Sequence, residues 1–148
     1  MLKILLPVDA TPVALDGVRH VMRLVHHGLR AEVVLAHVEP EANLFEMVTA
    51  RDPQVLEGVA QGAAQDAFAP AEVLLKAMHI AYTLEVGRGD AARVLVEMVE
   101  RLHCDAVVMG ANELGDVHSA VFGSVSHSLW RHAKVPVTLV HHPQPESH

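Results

Sequence analysis

Residues 105–132, DAVVMGANELGDVHSAVFGSVSHSLWRH, combine a buried strand, a glycine-punctuated loop and a helix that opens on Gly123-Ser124. The apolar run Ala106-Val107-Val108-Met109 is strand-sized and stops at Gly110. The Ser124 hydroxyl is expected to cap the free N–H groups of the first helical turn, and the glycine before it lets a ligand approach the backbone, which is the outline of an anion site. Twelve residues separate Gly110 from Gly123, enough for a loop that leaves the sheet and returns over a bound phosphate group.

The same alternation runs through the whole chain. Residues 2–8, LKILLPV, form a nearly continuous apolar run, as in a parallel strand covered on both faces. Asp9 ends it, and Thr11 as N-cap with Pro12 in the first helical position predicts a helix whose apolar positions are Ala14, Leu15, Val18, Val21, Met22 and Val25, stopped by Gly28. A second strand is expected over 31–38, then a loop over 39–53 with a helical turn near 44–48. Residues 54–78 are helical in composition, but Gly58, Gly62 and above all Pro70 predict a kink or two consecutive helices, with the break near 68–70. A short strand over 82–86, a Gly87-Arg88-Gly89 turn and a helix capped by Asp90 and running to about His103 follow, with Ala92, Leu95, Val96 and Val99 inward. After the Gly123 helix, a fifth strand is expected over 137–140 and an unstructured tail from His141 to the end.

Five strands separated by helices imply an α/β fold: a single-domain, open five-stranded parallel sheet with helices on both faces, Rossmann-like, built with right-handed crossovers. The 148 residues, 51% of them hydrophobic, suffice for one core, with the domain placed at 1–142 and a disordered tail at 143–148. Ligands of such sheets sit beyond the carboxyl ends of the strands, where strand order reverses. Three stretches converge there: Pro7-Val8-Asp9, Val38 and Met109-Gly110. A pocket between them has apolar walls, one carboxylate and a phosphate-sized notch at Gly123.

Charge and composition remove several classes. Eighteen acids against eleven Lys and Arg leave a net charge of −7 with no basic cluster, which argues against nucleic acid. The apolar runs are too short to span a membrane and the start does not resemble a signal peptide, so the expected location is cytoplasmic. Cys104 cannot form an internal disulfide and reads as a structural thiol. The twelve histidines lack metal-binding spacing and are expected on the surface, with no metal. The Arg88-Gly89-Asp90 string reads as a turn and a helix cap, Walker A is absent, and no catalytic constellation emerges, so an enzyme is not expected.

ILLPVDATPVALDGVRHV at the start, AYTLEVGRGDAARVLVEMVERLHCDAVVMG in the middle and GSVSHSLWRHAKVPVTLV near the end together resemble the universal stress protein family over essentially the whole chain. The resemblance implies an adenine nucleotide alpha hydrolase-like fold and a homodimer. Members that bind ATP carry Gly, two residues, Gly, nine residues, Gly, then Ser or Thr. Gly110, Gly123 and Ser124 match this pattern, but Glu113 replaces the second glycine. A carboxylate within a few ångströms of a triphosphate is repulsive by about 1–4 kcal/mol, and the loop holds no Lys or Arg. The resemblance assigns Asp9 to the ribose or adenine, Val38 and Met109 to the base, and Ser124 with Val125 to phosphate, and Pro7, Val8, Gly110 and Gly123 complete the expected cofactor-binding set. The function expected is a non-catalytic sensor responsive to an adenine nucleotide, AMP or ATP, in stress response. It pairs with itself through the final strand, residues 135–141, from Val135 to His141, an apolar edge that otherwise invites association. The alternative is a nucleotide-independent dimeric interaction module whose phosphate loop has degenerated at Glu113.

Overall fold

The computed structural model describes residues 1–40, 53–111 and 123–142, with the backbone alone over 53–61. Strand β1 (Leu2–Pro7) is central: it pairs in parallel with β2 (Ala31–Glu39) on one side and with β4 (Ala106–Gly110) on the other. Beyond them lie β3 (Tyr82–Arg88) and β5 (Val137–Val140), also parallel, giving the order β3-β2-β1-β4-β5. Helices α1 (Ala14–His26), α2 (Pro53–Ala77), α3 (Ala91–Leu102) and α4 (Ser124–His132) connect the strands. The direction of winding reverses between β1 and β4, where their carboxyl ends separate and leave a crevice.

The pleat sends alternate β1 side chains to opposite faces, and this divides the core in two. Ile4 and Leu6 pack with Val18 and Val21 of α1 and with Ala67, Phe68, Ala71 and Leu75 of α2. Leu5 packs on the other face with Leu95, Met98 and Val99 of α3 and Leu129 of α4. Leu5, Leu35, Leu75 and Leu129 are wholly shielded from solvent, and each contributes about 1.5–3 kcal/mol of burial free energy. Helix α3 lies close over β3 because Gly87 has no side chain: a Cβ there would stand 2.4 Å from Val94 Cγ1. Asp90 caps α3 by accepting from the Arg93 N–H at 3.1 Å, and His103 closes it in the left-handed region at φ 56°.

Several local expectations are corrected. Thr11 does not cap α1; its hydroxyl donates to Asp9, a tight turn intervenes, and the helix starts at Ala14 after Val13 without any side-chain cap. Helix α2 runs unbroken through Pro70. Ala67, Phe68, Ala71 and Leu75 anchor it to the core on both sides of the proline, while Pro70 and Asp66 are exposed, so the carbonyl deprived of its helical donor faces water. Strand β3 extends through Gly87 and Arg88, which pair with Val38 and Glu39 instead of forming a turn. The chain does not turn loose at His141: His142 Nδ1 lies 2.7 Å from Oδ2 of Asp16, a carboxylate buried on α1. The helical turn expected near 44–48, the loop that carries Glu113 and the tail 143–148 lie outside the described residues.

Candidate functional site

The crevice between β1 and β4 holds a cavity of about 230 Å3, a little below the roughly 300–1,000 Å3 of typical small-ligand clefts. Pro7, Val8, Asp9, Val38, Met109, Gly110, Gly123, Ser124 and Val125 all line it. Thus the strand ends and the helix start that are more than a hundred residues apart in sequence share one wall system. The lining also includes Thr11, Val13, His37, Leu95 and Ser126, which sequence reasoning did not assign to the site.

Asp9 stands just beyond the end of β1. Its Oδ1 accepts from the Thr11 N–H at 2.8 Å and from the Thr11 hydroxyl, so the carboxylate is held by the turn that follows it. Threonine two residues after the aspartate is therefore a positioning group, and the helix-cap signal it gave in sequence came from the same residue types that form such turns.

At the opposite end, Gly123 occupies the N-cap position of α4 with extended backbone (φ −54°, ψ 160°), and no side chain among the described residues caps the helix. The Ser124 hydroxyl is thus not the cap expected of it: Ser124 is the first helical residue and is exposed. Ser126 is the serine that turns inward, and its buried hydroxyl donates to the Gly123 carbonyl at 2.8 Å. The first-turn N–H groups, uncapped by any described side chain, border the cavity with the positive end of the helix dipole behind them. No Lys or Arg lines the cavity among the described residues.

His37 departs from the expectation of surface histidines. It is buried on β2, with Nδ1 3.0 Å from the Val8 carbonyl and Nε2 2.7 Å from Oε1 of Glu39, while the Phe68 ring meets it edge-on. Its signal in the sequence was the one polar residue inside the run VVLAHV, residues 33–38.

Gly110 meets the approach to α1. A Cβ on it would sit 2.1 Å from the Val13 carbonyl oxygen, so glycine is required by backbone packing where β4 and α1 converge at the cavity wall. Among the described residues no group of three or more His, Cys, Asp or Glu could hold a metal ion, and no helix is long and apolar enough to cross a membrane. Cys104 lies away from the cavity, and burial pushes its thiol up from the usual range.

Comparison with known proteins agrees with this architecture. The model of the Universal stress protein family matches residues 1–141. A stress response protein, NhaX, of Bacillus subtilis is 26% identical over 97 residues, which are 66% of this chain and 56% of that protein, so the match spans little more than half the length of the curated relative. Among solved structures, the universal stress protein UspA from Lactobacillus plantarum superposes with TM-score 0.75 at 17% identity, covering 94% of this chain and 97% of its own. The universal stress protein from Archaeoglobus fulgidus, solved in complex with dAMP, superposes with TM-score 0.65 at 16% identity, covering 95% and 98%.

Proposed function

The chain belongs to the universal stress protein family, and from that premise we propose that it is a non-catalytic, cytoplasmic stress-response protein that binds an adenine nucleotide in the β1–β4 crevice and acts as a homodimer. The observation that carries the reading is the pairing, in one cavity, of the Asp9 carboxylate with the first turn of α4, which opens on Gly123 and so has no cap from its own N-cap residue. A mononucleotide has the matching polarity: hydroxyls of the sugar donate to a carboxylate, the base takes apolar walls, and the phosphate takes helix N–H groups.

In this reading Asp9 holds the ribose, Pro7, Val8, Val38 and Met109 flank the base, and Gly110, Gly123, Ser124 and Val125 receive the phosphate. The size of the cavity and the lack of Lys or Arg among the described residues that line it favour AMP over ATP. The dAMP complex of the Archaeoglobus fulgidus relative lends support to a monophosphate.

The dimer uses the free edge of β5. That strand, VTLV, carries no charge, whereas the opposite edge strand β3 presents Glu85 and Arg88, groups that discourage edge pairing. Pro136 and Val140 direct their carbonyls to β4, so the alternating Leu139 N–H faces the open edge. Sedimentation should give twice the 16.0 kDa chain mass, and Leu139→Pro should yield a folded monomer. A wild-type monomer at tens of micromolar would remove this part of the proposal.

Equilibrium dialysis against labelled AMP and ATP tests the ligand. Saturable binding of AMP that weakens about tenfold or more in Asp9→Ala is expected, from loss of hydrogen bonds to a charged group. No binding at millimolar nucleotide would leave the nucleotide-independent dimeric module.

A further inference from the structure

The strand β2 places His37 between two acceptors. Nδ1 lies 3.0 Å from the Val8 carbonyl oxygen and Nε2 lies 2.7 Å from a Glu39 side-chain oxygen, and a carbonyl and a carboxylate are both acceptors without a proton to donate. A neutral imidazole has one N–H, so it would satisfy one of these contacts and set a lone pair against an oxygen in the other. Both contacts are satisfied together only when the ring carries both protons. The side chains of His37 and Glu39 are 11% and 16% exposed, and Phe68 packs against the ring, so water is largely kept from competing.

The other end of this pair is the point that matters for the cavity. The Val8 N–H donates to the Ala36 carbonyl at 2.8 Å, and the Val8 carbonyl takes the His37 contact. Residue 8 is therefore fixed to β2 through both its backbone groups, although it lies past the end of β1, and Asp9 is the next residue. His37 and Val8 line the same cavity as Asp9.

We infer that His37 and Glu39 form an imidazolium–carboxylate clamp that grips the Val8 carbonyl and thereby sets where the Asp9 carboxylate stands. Its consequence for binding rests on the nucleotide reading above, while the clamp itself does not. His37 is a positioning residue: both ring nitrogens are already engaged, so it acts through the backbone that carries Asp9. Glu39, at the end of β2, orients the ring and balances its charge. The pair accounts for a histidine in a strand interior that is otherwise apolar, and for a glutamate two residues on, on the same side of the strand.

The test uses the full-length protein with 15N-labelled histidine. Long-range proton–nitrogen correlation spectra at neutral pH should show the His37 ring with both nitrogens protonated, and Glu39→Gln should convert it to a neutral ring with one unprotonated nitrogen, because the glutamine amide can donate to Nε2. A wild-type ring with one bare nitrogen overturns the clamp. AMP affinity is the second readout. His37→Phe keeps an aromatic ring but removes both donors, and it should weaken AMP about tenfold or more, with the Val8 and Asp9 amide signals displaced. If that variant fails to fold, Glu39→Ala, at the less buried of the two positions, takes its place with the same expected loss. Wild-type-like affinity in the folded variant refutes the positioning role. Absence of AMP binding in the wild type refutes the nucleotide reading alone, since the ring spectra decide the clamp without any ligand.

Discussion

Gly110→Ala probes the junction on which the cavity depends. The added Cβ would stand 2.1 Å from the Val13 oxygen, 2.9 Å from the Val13 carbonyl carbon and 3.0 Å from Val13 Cγ1. Carbon contacts are comfortable at about 3.5–4.0 Å, so the backbone must part by roughly an ångström or more. Two movements can relieve the overlap. Either Val13 retreats, which disturbs the bond from the Asp16 N–H to its carbonyl at 3.1 Å and the wall formed by Thr11 and Val13, or the end of β4 retreats, which disturbs the bond from the Ala111 N–H to Val140 at 2.8 Å. Overpacking costs about 1–3 kcal/mol and a weakened backbone bond about 1 more, for a total of about 2–4 kcal/mol. In a chain of this length that corresponds to a fall in Tm of about 4–16 °C, measured by calorimetry. Gly17→Ala is the control, because its Cβ would meet Met109 Cα at 3.2 Å and needs only a few tenths of an ångström, while alanine gains helix propensity on α1. A Gly110→Ala protein with unchanged Tm and unchanged nucleotide affinity would refute the close approach of β4 and α1.

Gly62→Ala should raise stability by about 0.5–1 kcal/mol in urea titration, since Gly62 lies inside α2 and a Cβ there meets nothing within 4 Å among the described residues; a destabilised variant would contradict that open placement. Glu113→Gly should tighten ATP by roughly 5- to 1,000-fold while changing AMP less, as expected from removing about 1–4 kcal/mol of repulsion at the outer phosphates; equal effects on the two ligands in dialysis would show that the carboxylate does not face them. The raised thiol of Cys104 means that the fold keeps a proton the unfolded chain sheds. Its contribution is thus complete below the ordinary thiol range near about 8.5 and is lost as pH rises through the higher folded value. Wild-type stability should therefore fall more steeply between pH 8 and 10 than that of Cys104→Ala, and parallel curves would refute the assignment.

The layer order was legible because β1, β4 and β5 are apolar runs and α1 and α3 keep a 3.6-residue period, and the cavity edge followed from where a doubly wound sheet must open. What was hidden was set by tertiary contacts. Pro70 looked like a break because sequence alone does not say that it lies on the solvent side of a helix held by Ala67 and Ala71. Gly87 looked like a turn because the demand on it comes from Val94 and Met98 of α3, which packs directly on β3. Thr11 and Ser124 both looked like caps, since hydroxyls favour helix starts and tight turns alike; the first serves Asp9, and in the second case Ser126 makes the inward bond. His37 was countable among twelve histidines but not separable from them until β2 set it beside Val8 and Glu39. The Asp16–His142 contact spans 126 residues, a pairing that no local pattern announces.

The most direct measurement is an amide correlation NMR titration of the full-length protein with AMP. Saturable shifts concentrated at Val8, Asp9, Val38, Gly110, Gly123, Ser124 and Val125 are the predicted result. Shifts confined to the opposite edge of the sheet, or none at millimolar AMP, would contradict a nucleotide site between β1 and β4.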